Sequence, residues 1–234
     1  MSPETSIICK DYQINGIDLK ICDYQSSLTP IVVIHELNSN CYNIENIPFE
    51  PGDVIIDIGG HVGIVSIYLA KKYPFLKIHT FEPNYDNYHN LLTNIAINYI
   101  PNIMTYNKAI TKDGRNSGLM APDSNTGGGG LFELPLPETI LPDYSYYTIA
   151  STTLDNFMDQ NNISKCKLLK IDCEGCEYEI LLNSNKLNCI DYLSGEFHMD
   201  MRLKSKGYSI EALYNHCTQF IKPDHIFYTP FMNM

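Results

Sequence analysis

The most regular hydrophobic pattern begins after Asp53, where Val54-Ile55-Ile56-Asp57-Ile58 runs almost without a polar break. A continuous β-branched run of this length predicts a strand buried on both faces of a parallel sheet. Gly59, Gly60 and Gly63 then mark a tight turn, after which Ile64, Ile67, Tyr68 and Lys71 recur at helical spacing until Pro74 stops the element. A second strand, Lys77 to Phe81, ends in Glu82-Pro83. A helix from about Tyr85 to Tyr99 follows, with Leu91, Leu92, Ile95 and Ala96 on one face, and then a third strand, Ile103 to Asn107. This βαβαβ order is the mononucleotide-binding half of a doubly wound sheet, so the predicted class is α/β: a Rossmann-like, mostly parallel sheet with helices on both faces.

Downstream, the pattern predicts helices near Thr153–Gln160, Glu177–Leu182 and Ile210–Cys217. It predicts strands at Lys167–Ile171 and Tyr192–Phe197, and a final strand or hairpin around Gln219–Tyr228. Residues 113–150 break the rhythm with Gly127 to Gly130, several prolines and Tyr144, Tyr146 and Tyr147. Such an excursion suggests a substrate lid, with Asn125 to Gly130 either its hinge or simply a flexible loop, and the tyrosines either stacking on an acceptor or packing internally. Residues 1–50 alternate short apolar runs, such as Ile31 to Ile34, with turns, and are expected to be an extension of strands or a helix packed on the 51–234 domain.

At 234 residues the chain is long enough for one such domain and short for two. No apolar run approaches the roughly 18 to 20 residues of a membrane-spanning helix, and Met1 to Lys10 lacks the layout of a secretory signal, so a cytoplasmic location is expected. A formal charge of −11 repels phosphodiester backbones, which argues against a nucleic-acid partner. The eight cysteines are expected to be mostly reduced and buried. Cys173 and Cys176 have CxxC spacing but lack the second pair that a structural zinc site requires.

In an open parallel sheet the ligand lies beyond the carboxyl ends of the strands, which directs attention to the turn after Asp57. Neither the G-x-G-x-x-G spacing of a dinucleotide site nor the Gly-Lys-Ser/Thr of a phosphate loop is present there. An acid at the strand end would repel a pyrophosphate but suits a cationic aminoacyl sulfonium, which favours S-adenosylmethionine. Glu82, at the tip of the second strand, is placed to accept hydrogen bonds from ribose hydroxyls. Asp57 as a turn-stabilising acid and Glu82 as a solvated strand end are the plainer alternatives.

The series V-I-I-D-I-G-G-H-V-G, F-E-P-N, N-K-A-I, T-G-G-G-G-L, T-L-D-N-F, L-L-K-I-D-C-E-G-C-E-Y-E-I-L and G-E-F-H resembles the FkbM-type methyltransferase family in content and order, from about Asp53 to His198. The most specific part is Lys170 to Glu177, close to K-x-D-x-E-G-x-E. The resemblance implies a class I methyltransferase fold and methyl transfer from S-adenosylmethionine to a hydroxyl of a sugar, polyketide or other small molecule. It also implies cofactor contacts at Asp57, Gly59, Gly60, His61, Gly63, Glu82, Ala109 and Asp172. His61 departs from the family's usual Asn, and Cys173 and Cys176 from small aliphatics.

Methyl transfer is an in-line displacement, so the protein mainly aligns donor and acceptor and removes a proton. His198 or Asp172 is the expected general base, with Glu174 orienting the acceptor or the base. Glu196 and His198, two apart on a strand, share a face, while Glu177 is as readily a first-turn helix acid. Asp172, Glu174 and His198 also have the donor types for a divalent cation, though a metal is not expected. The competing classes are a nicotinamide-dependent oxidoreductase or epimerase, disfavoured by the glycine spacing, and a non-catalytic interaction module.

Overall fold

A computed structural model describes residues 6–122, 126–135 and 140–232; Asn125 of the expected hinge lies outside them. The chain opens with an antiparallel hairpin, β1 (Ile7–Ile14) and β2 (Ile17–Tyr24), turned at Asn15-Gly16 with positive φ at both residues (47° and 81°). Asn-Gly tolerates that left-handed backbone, and the resulting twist matches the paired strands. Helix α1 (Thr29–Asn38) follows and contains the Ile31 to Ile34 run.

The central sheet is then laid down as β3 (Val54–Ile58), α2 (Ile64–Lys72), β4 (Lys77–Phe81), α3 (Tyr85–Ile97) and β5 (Ile103–Tyr106). Strand β6 (Ala109–Ile110) precedes the excursion at 113–150, which contains β7 (Ser117–Pro122), β8 (Gly130–Phe132) and β9 (Tyr144–Ile149) as a small antiparallel sheet, and β10 (Ser151–Thr152), paired with β6, follows it. The chain returns through α4 (Leu154–Gln160), β11 (Cys166–Ile171), α5 (Glu177–Leu181), β12 (Ile190–Met199), α6 (Met201–Ser205), α7 (Ile210–Cys217) and β13 (Ile226–Met232). The main sheet has the order β13-β12-β11-β3-β4-β5, and every neighbouring pair is parallel. Strand order therefore reverses between β3 and β11, which opens a crevice at their carboxyl ends.

The end of the chain differs from expectation. The last strand is Ile226–Met232, and its pairing with β12 extends that strand through Met199, so Glu196 and His198 lie within it. Helix α6 is too short to show a hydrophobic period. It is started by Asp200, whose carboxylate accepts the Leu203 N–H at 2.7 Å.

Apolar side chains cover both faces of the sheet. Ile55 and Ile78 pack with α2, Leu37 of α1 and the β1–β2 hairpin, while Ile56, Leu169 and Leu193 pack with Phe157, Tyr178 and Leu213 of α4, α5 and α7. The hairpin is held to α3 by two amides one turn apart: Asn94 brackets Cys22 through both its N–H and C=O (2.7 and 3.0 Å), and Asn98 does the same for Lys20 (3.0 and 2.6 Å). The expectation that most cysteines are reduced holds, although of the free ones only Cys166, Cys176 and Cys217 are buried. Six are free, but Cys9 and Cys22 form a disulfide. They stand directly opposite in β1 and β2, and the Cys22 N–H is spent on Asn94 rather than on β1, so this is a non-hydrogen-bonded pair, where side chains come closest. Among the described residues no helix is long and apolar enough to cross a membrane.

Candidate active site

Asp57 and Lys170 face each other across the β3–β11 pair at the switch point. The Lys170 ammonium, only 3% exposed as a residue, donates to the Gly59 carbonyl at 2.9 Å and lies 3.3 Å from Asp57 Oδ1 and 3.6 Å from Asp172 Oδ2. Burial alone would lower its pKa, but the charges of Asp57 and Asp172 outweigh that and raise it, so it stays cationic. The second Asp57 oxygen accepts the Ser66 hydroxyl at 2.6 Å. Asp57 is fully buried beneath the glycine turn and does not line the cavity above it.

The turn itself is shaped by close approach. Gly59 has φ 81°, and a Cβ there would stand 1.8 Å from the Asp172 carbonyl oxygen; one on Gly60 would stand 2.1 Å from Thr80 Cγ2. Gly63, at φ 91°, is the residue from which α2 starts, and it also lies outside the cavity lining.

Above the turn is a cavity of about 440 Å³. One end is lined by Gly59, Gly60, His61, Glu82 and Ala109, the expected cofactor residues other than Asp57, Gly63 and Asp172. Glu82 is nearly buried; its two oxygens accept the backbone N–H groups of His61 and Asn84, each at 2.8 Å. Burial pushes its carboxyl up to about 7 against the opposing effect of those hydrogen bonds. His61 holds a left-handed φ of 49°, and burial lowers its imidazole pKa.

The other end gathers carboxylates around one imidazole. Asp172 and Glu174 follow β11, Glu196 comes from β12 and Glu36 from α1, and all four line the cavity. His198, 4% exposed, is fixed through Nδ1, 3.1 Å from Glu177 Oε1. Its Nε2 lies 3.4 Å from Glu196, 3.7 Å from Glu174 and 4.0 Å from Asp172. Burial would depress the imidazole, yet the Glu177 hydrogen bond and the charges of Glu177, Glu174 and Asp172 prevail and carry it up to about 9. Burial and neighbouring acids push Glu174 and Glu196 each to about 7. Glu36 is likewise raised, chiefly by burial, although it accepts the Tyr42 hydroxyl at 2.9 Å.

Asp172, Glu174 and His198 thus do converge, and Glu196 joins them. Glu177 is both a first-turn acid of α5 and the partner of His198; it also accepts the Cys173 N–H at 2.9 Å. Sequence reasoning missed Glu36 and Tyr42, which carry no local motif, and gave Lys170 no task although it stands in the most specific segment. From the excursion, Leu119, Gly127 to Gly129 and Leu131 reach the cavity. Tyr144, Tyr146 and Tyr147 do not; Tyr146 packs on Phe132, and Tyr147 donates to Asp86 at 3.3 Å.

Comparison with known proteins adds three findings. The family model described as "Methyltransferase FkbM domain" matches residues 57–224. The chain is similar to "Methyltransferase sdnD" of Sordaria araneosa, 28% identical over 177 residues, which cover 61% of this chain and 63% of that protein, so the match spans less than two thirds of the relative. It is also similar to "Methyltransferase 1" of Beauveria bassiana, 21% identical over 193 residues, covering 73% of this chain and 77% of the relative. Among solved structures, precorrin-6y C5,15-methyltransferase from Geobacter metallireducens aligns over 77% of this chain and 70% of its own, with 12% identity and a TM-score of 0.45.

Proposed function

Because this chain belongs to the methyltransferase FkbM domain family, we propose that it transfers a methyl group from S-adenosylmethionine to a hydroxyl of a small-molecule acceptor. The observation that carries the reading is the pairing, in one cavity, of the buried Glu82 carboxylate at one end with the carboxylates of Asp172, Glu174 and Glu196 at the other, backed by the buried His198 imidazole whose Nε2 lies 3.4 to 4.0 Å from them. Its size lies within the roughly 300 to 1,000 Å³ typical of small-molecule sites.

The residues fit the cofactor. Both Glu82 oxygens are aimed by backbone N–H groups, and the Asn87 side chain also bonds to this carboxylate, which is thereby held where it can accept from ribose hydroxyls. Gly59 and Gly60 bring bare backbone to the cavity, and Ala109 presents only a methyl. Asp57 and Gly63 act from below, Asp57 by holding Lys170 and the turn, Gly63 by starting α2. Asp172 stands where the cofactor and acceptor ends meet. Bound there, S-adenosylmethionine supplies an electrophilic methyl carbon on a sulfonium.

Beside these polar groups the cavity is lined by apolar Leu28, Val32, Val33, Leu119, Leu131 and Phe231. That suits an acceptor with an apolar body presenting a single hydroxyl. The acceptor oxygen forms its bond to the methyl carbon as the carbon–sulfur bond breaks, the bonding pair staying on sulfur, and its proton passes into the carboxylate–imidazole group. Co-crystallisation with S-adenosylhomocysteine tests the reading. The ribose hydroxyls are expected on Glu82 and the homocysteine end over Gly59 and Asp172; density elsewhere would overturn the assignment.

A further inference from the structure

We propose that Asp172, Glu196 and His198 form a divalent-cation site at the acceptor end of the cavity. Its catalytic purpose rests on the methyltransferase reading, but its existence does not. One donor atom from each side chain falls within 4.8 Å of the others. The placement follows from sheet register: Ile171, the last residue of β11, pairs with Gly195 of β12, so Asp172 just past β11 and Glu196 of β12 emerge side by side, and His198 follows two residues on from Glu196 on the same face.

Two of the three donors are aimed by their neighbours. Asp172 turns Oδ2 to Lys170 at 3.6 Å and Oδ1 towards His198. The imidazole of His198 is almost completely buried, and Glu177 at Nδ1 fixes its orientation so that Nε2 points into the carboxylates. Those carboxylates stand 3.4, 3.7 and 4.0 Å away, all beyond the roughly 2.7 to 3.2 Å of an N–H···O hydrogen bond. A buried nitrogen is therefore directed at the group without a hydrogen bond of ordinary length to any member of it. A carboxylate behind the imidazole is also the arrangement that orients metal-ligating histidines.

Charge supports the same assignment. Glu36, Asp172, Glu174 and Glu196 line a pocket whose lysines are Lys108 and Lys170, the latter already shared with Asp57, and the second oxygen of Glu177, buried behind His198, has no hydrogen-bond partner among the described residues. Two carboxylates and one imidazole suit a first-row ion such as Mn²⁺ better than Ca²⁺, which prefers six to eight oxygens. Such an ion would polarise the acceptor hydroxyl, and Glu174, lining the cavity but outside the ligand set, would take its proton.

The test is titration of the chelator-treated full chain with MnCl₂, following loss of the free-ion electron paramagnetic resonance signal. One equivalent is expected to bind. Affinity is expected to fall about 10-fold or more in Glu196→Gln and His198→Gln, to fall similarly in Glu177→Gln, which touches no metal, and to stay unchanged in Glu82→Gln. Circular dichroism establishes that each variant is folded. Absence of Mn²⁺ binding to folded wild-type chain, or binding indifferent to all three substitutions, would overturn the site and leave the cluster as an ion-pair clamp for a cationic acceptor. Because S-adenosylhomocysteine binding is measured separately, failure of the metal site and failure of the methyltransferase reading are distinguishable.

Discussion

Lys170 and Asp57 stand opposite each other on paired central strands with Nζ 3.3 Å from Oδ1, and the same ammonium donates to the Gly59 carbonyl. One buried ion pair thereby fixes the glycine turn that forms the floor of the cofactor end.

Breaking that pair from one side leaves an uncompensated buried carboxylate. Lys170→Met is expected to lower unfolding stability by about 3 to 5 kcal/mol, read by urea denaturation. Lys170→Met combined with Asp57→Asn is expected to cost less than the sum of the two single changes. Additive costs would show that the two side chains do not depend on one another.

Gly59→Ala is expected to destabilise by about 3 kcal/mol or more, since overpacking a rigid site commonly costs about 1 to 3 kcal/mol and positive φ adds strain. The clashing atom, the Asp172 carbonyl oxygen at 1.8 Å, is backbone and cannot swing aside. Thermal melts measure the first effect. S-adenosylhomocysteine titration measures a parallel loss of affinity, because the same shift would move Asp172.

Affinity for S-adenosylhomocysteine should depend on pH through Glu82. In the proposed reading the ribose hydroxyls are accepted by the ionised carboxylate, whose pKa in the free protein is pushed up to about 7 by burial. Binding therefore strengthens as pH rises to about 7 and is flat above it, and below it the dissociation constant rises by up to about tenfold per pH unit. Lys170 remains charged across this range, and burial holds the nearby His61 imidazole below its ordinary pKa. Glu174 and Glu196 of the same cavity are also pushed up to about 7, so titrations between pH 5.5 and 8.5 should give a steeper slope in the wild type than in Glu82→Gln, and equal slopes would contradict the role of Glu82.

The Cys9–Cys22 bridge closes a sequence separation of 13. Cys9→Ser with Cys22→Ser is expected to cost about 3 kcal/mol or less, with hydrogen exchange rising first in β1. The two asparagines of α3 keep β2 in place, so the change should stay local.

The parts legible in the sequence were those whose signal is local. The run Val54 to Ile58, the glycines and Glu82 at a strand tip follow one another closely, and periodicity with turn chemistry is enough to find them. His198 and Asp172 were singled out because each follows or ends a strand. The Glu177–His198 contact joins residues 21 apart on different elements, and from sequence Glu177 is indistinguishable from an ordinary first-turn acid. Glu36 and Tyr42 reach the cavity only because α1 folds across the sheet. The Asn15-Gly16 turn did carry a local hairpin signal, and with it the opposition of Cys9 and Cys22 could have been found, since both lie at matching distance from that turn.

The central claim is that the cavity between β3 and β11 holds S-adenosylmethionine through Glu82. Calorimetric titration of the purified chain with S-adenosylhomocysteine, with NAD as control, tests it most directly on the wild type and on Glu82→Ala. The account predicts micromolar binding of S-adenosylhomocysteine alone, weakened at least tenfold in the variant, as loss of hydrogen bonds to a charged acceptor worth about 1.5 to 3 kcal/mol requires. Folded wild-type protein that binds neither ligand, or a variant that binds as tightly as the wild type, would contradict it.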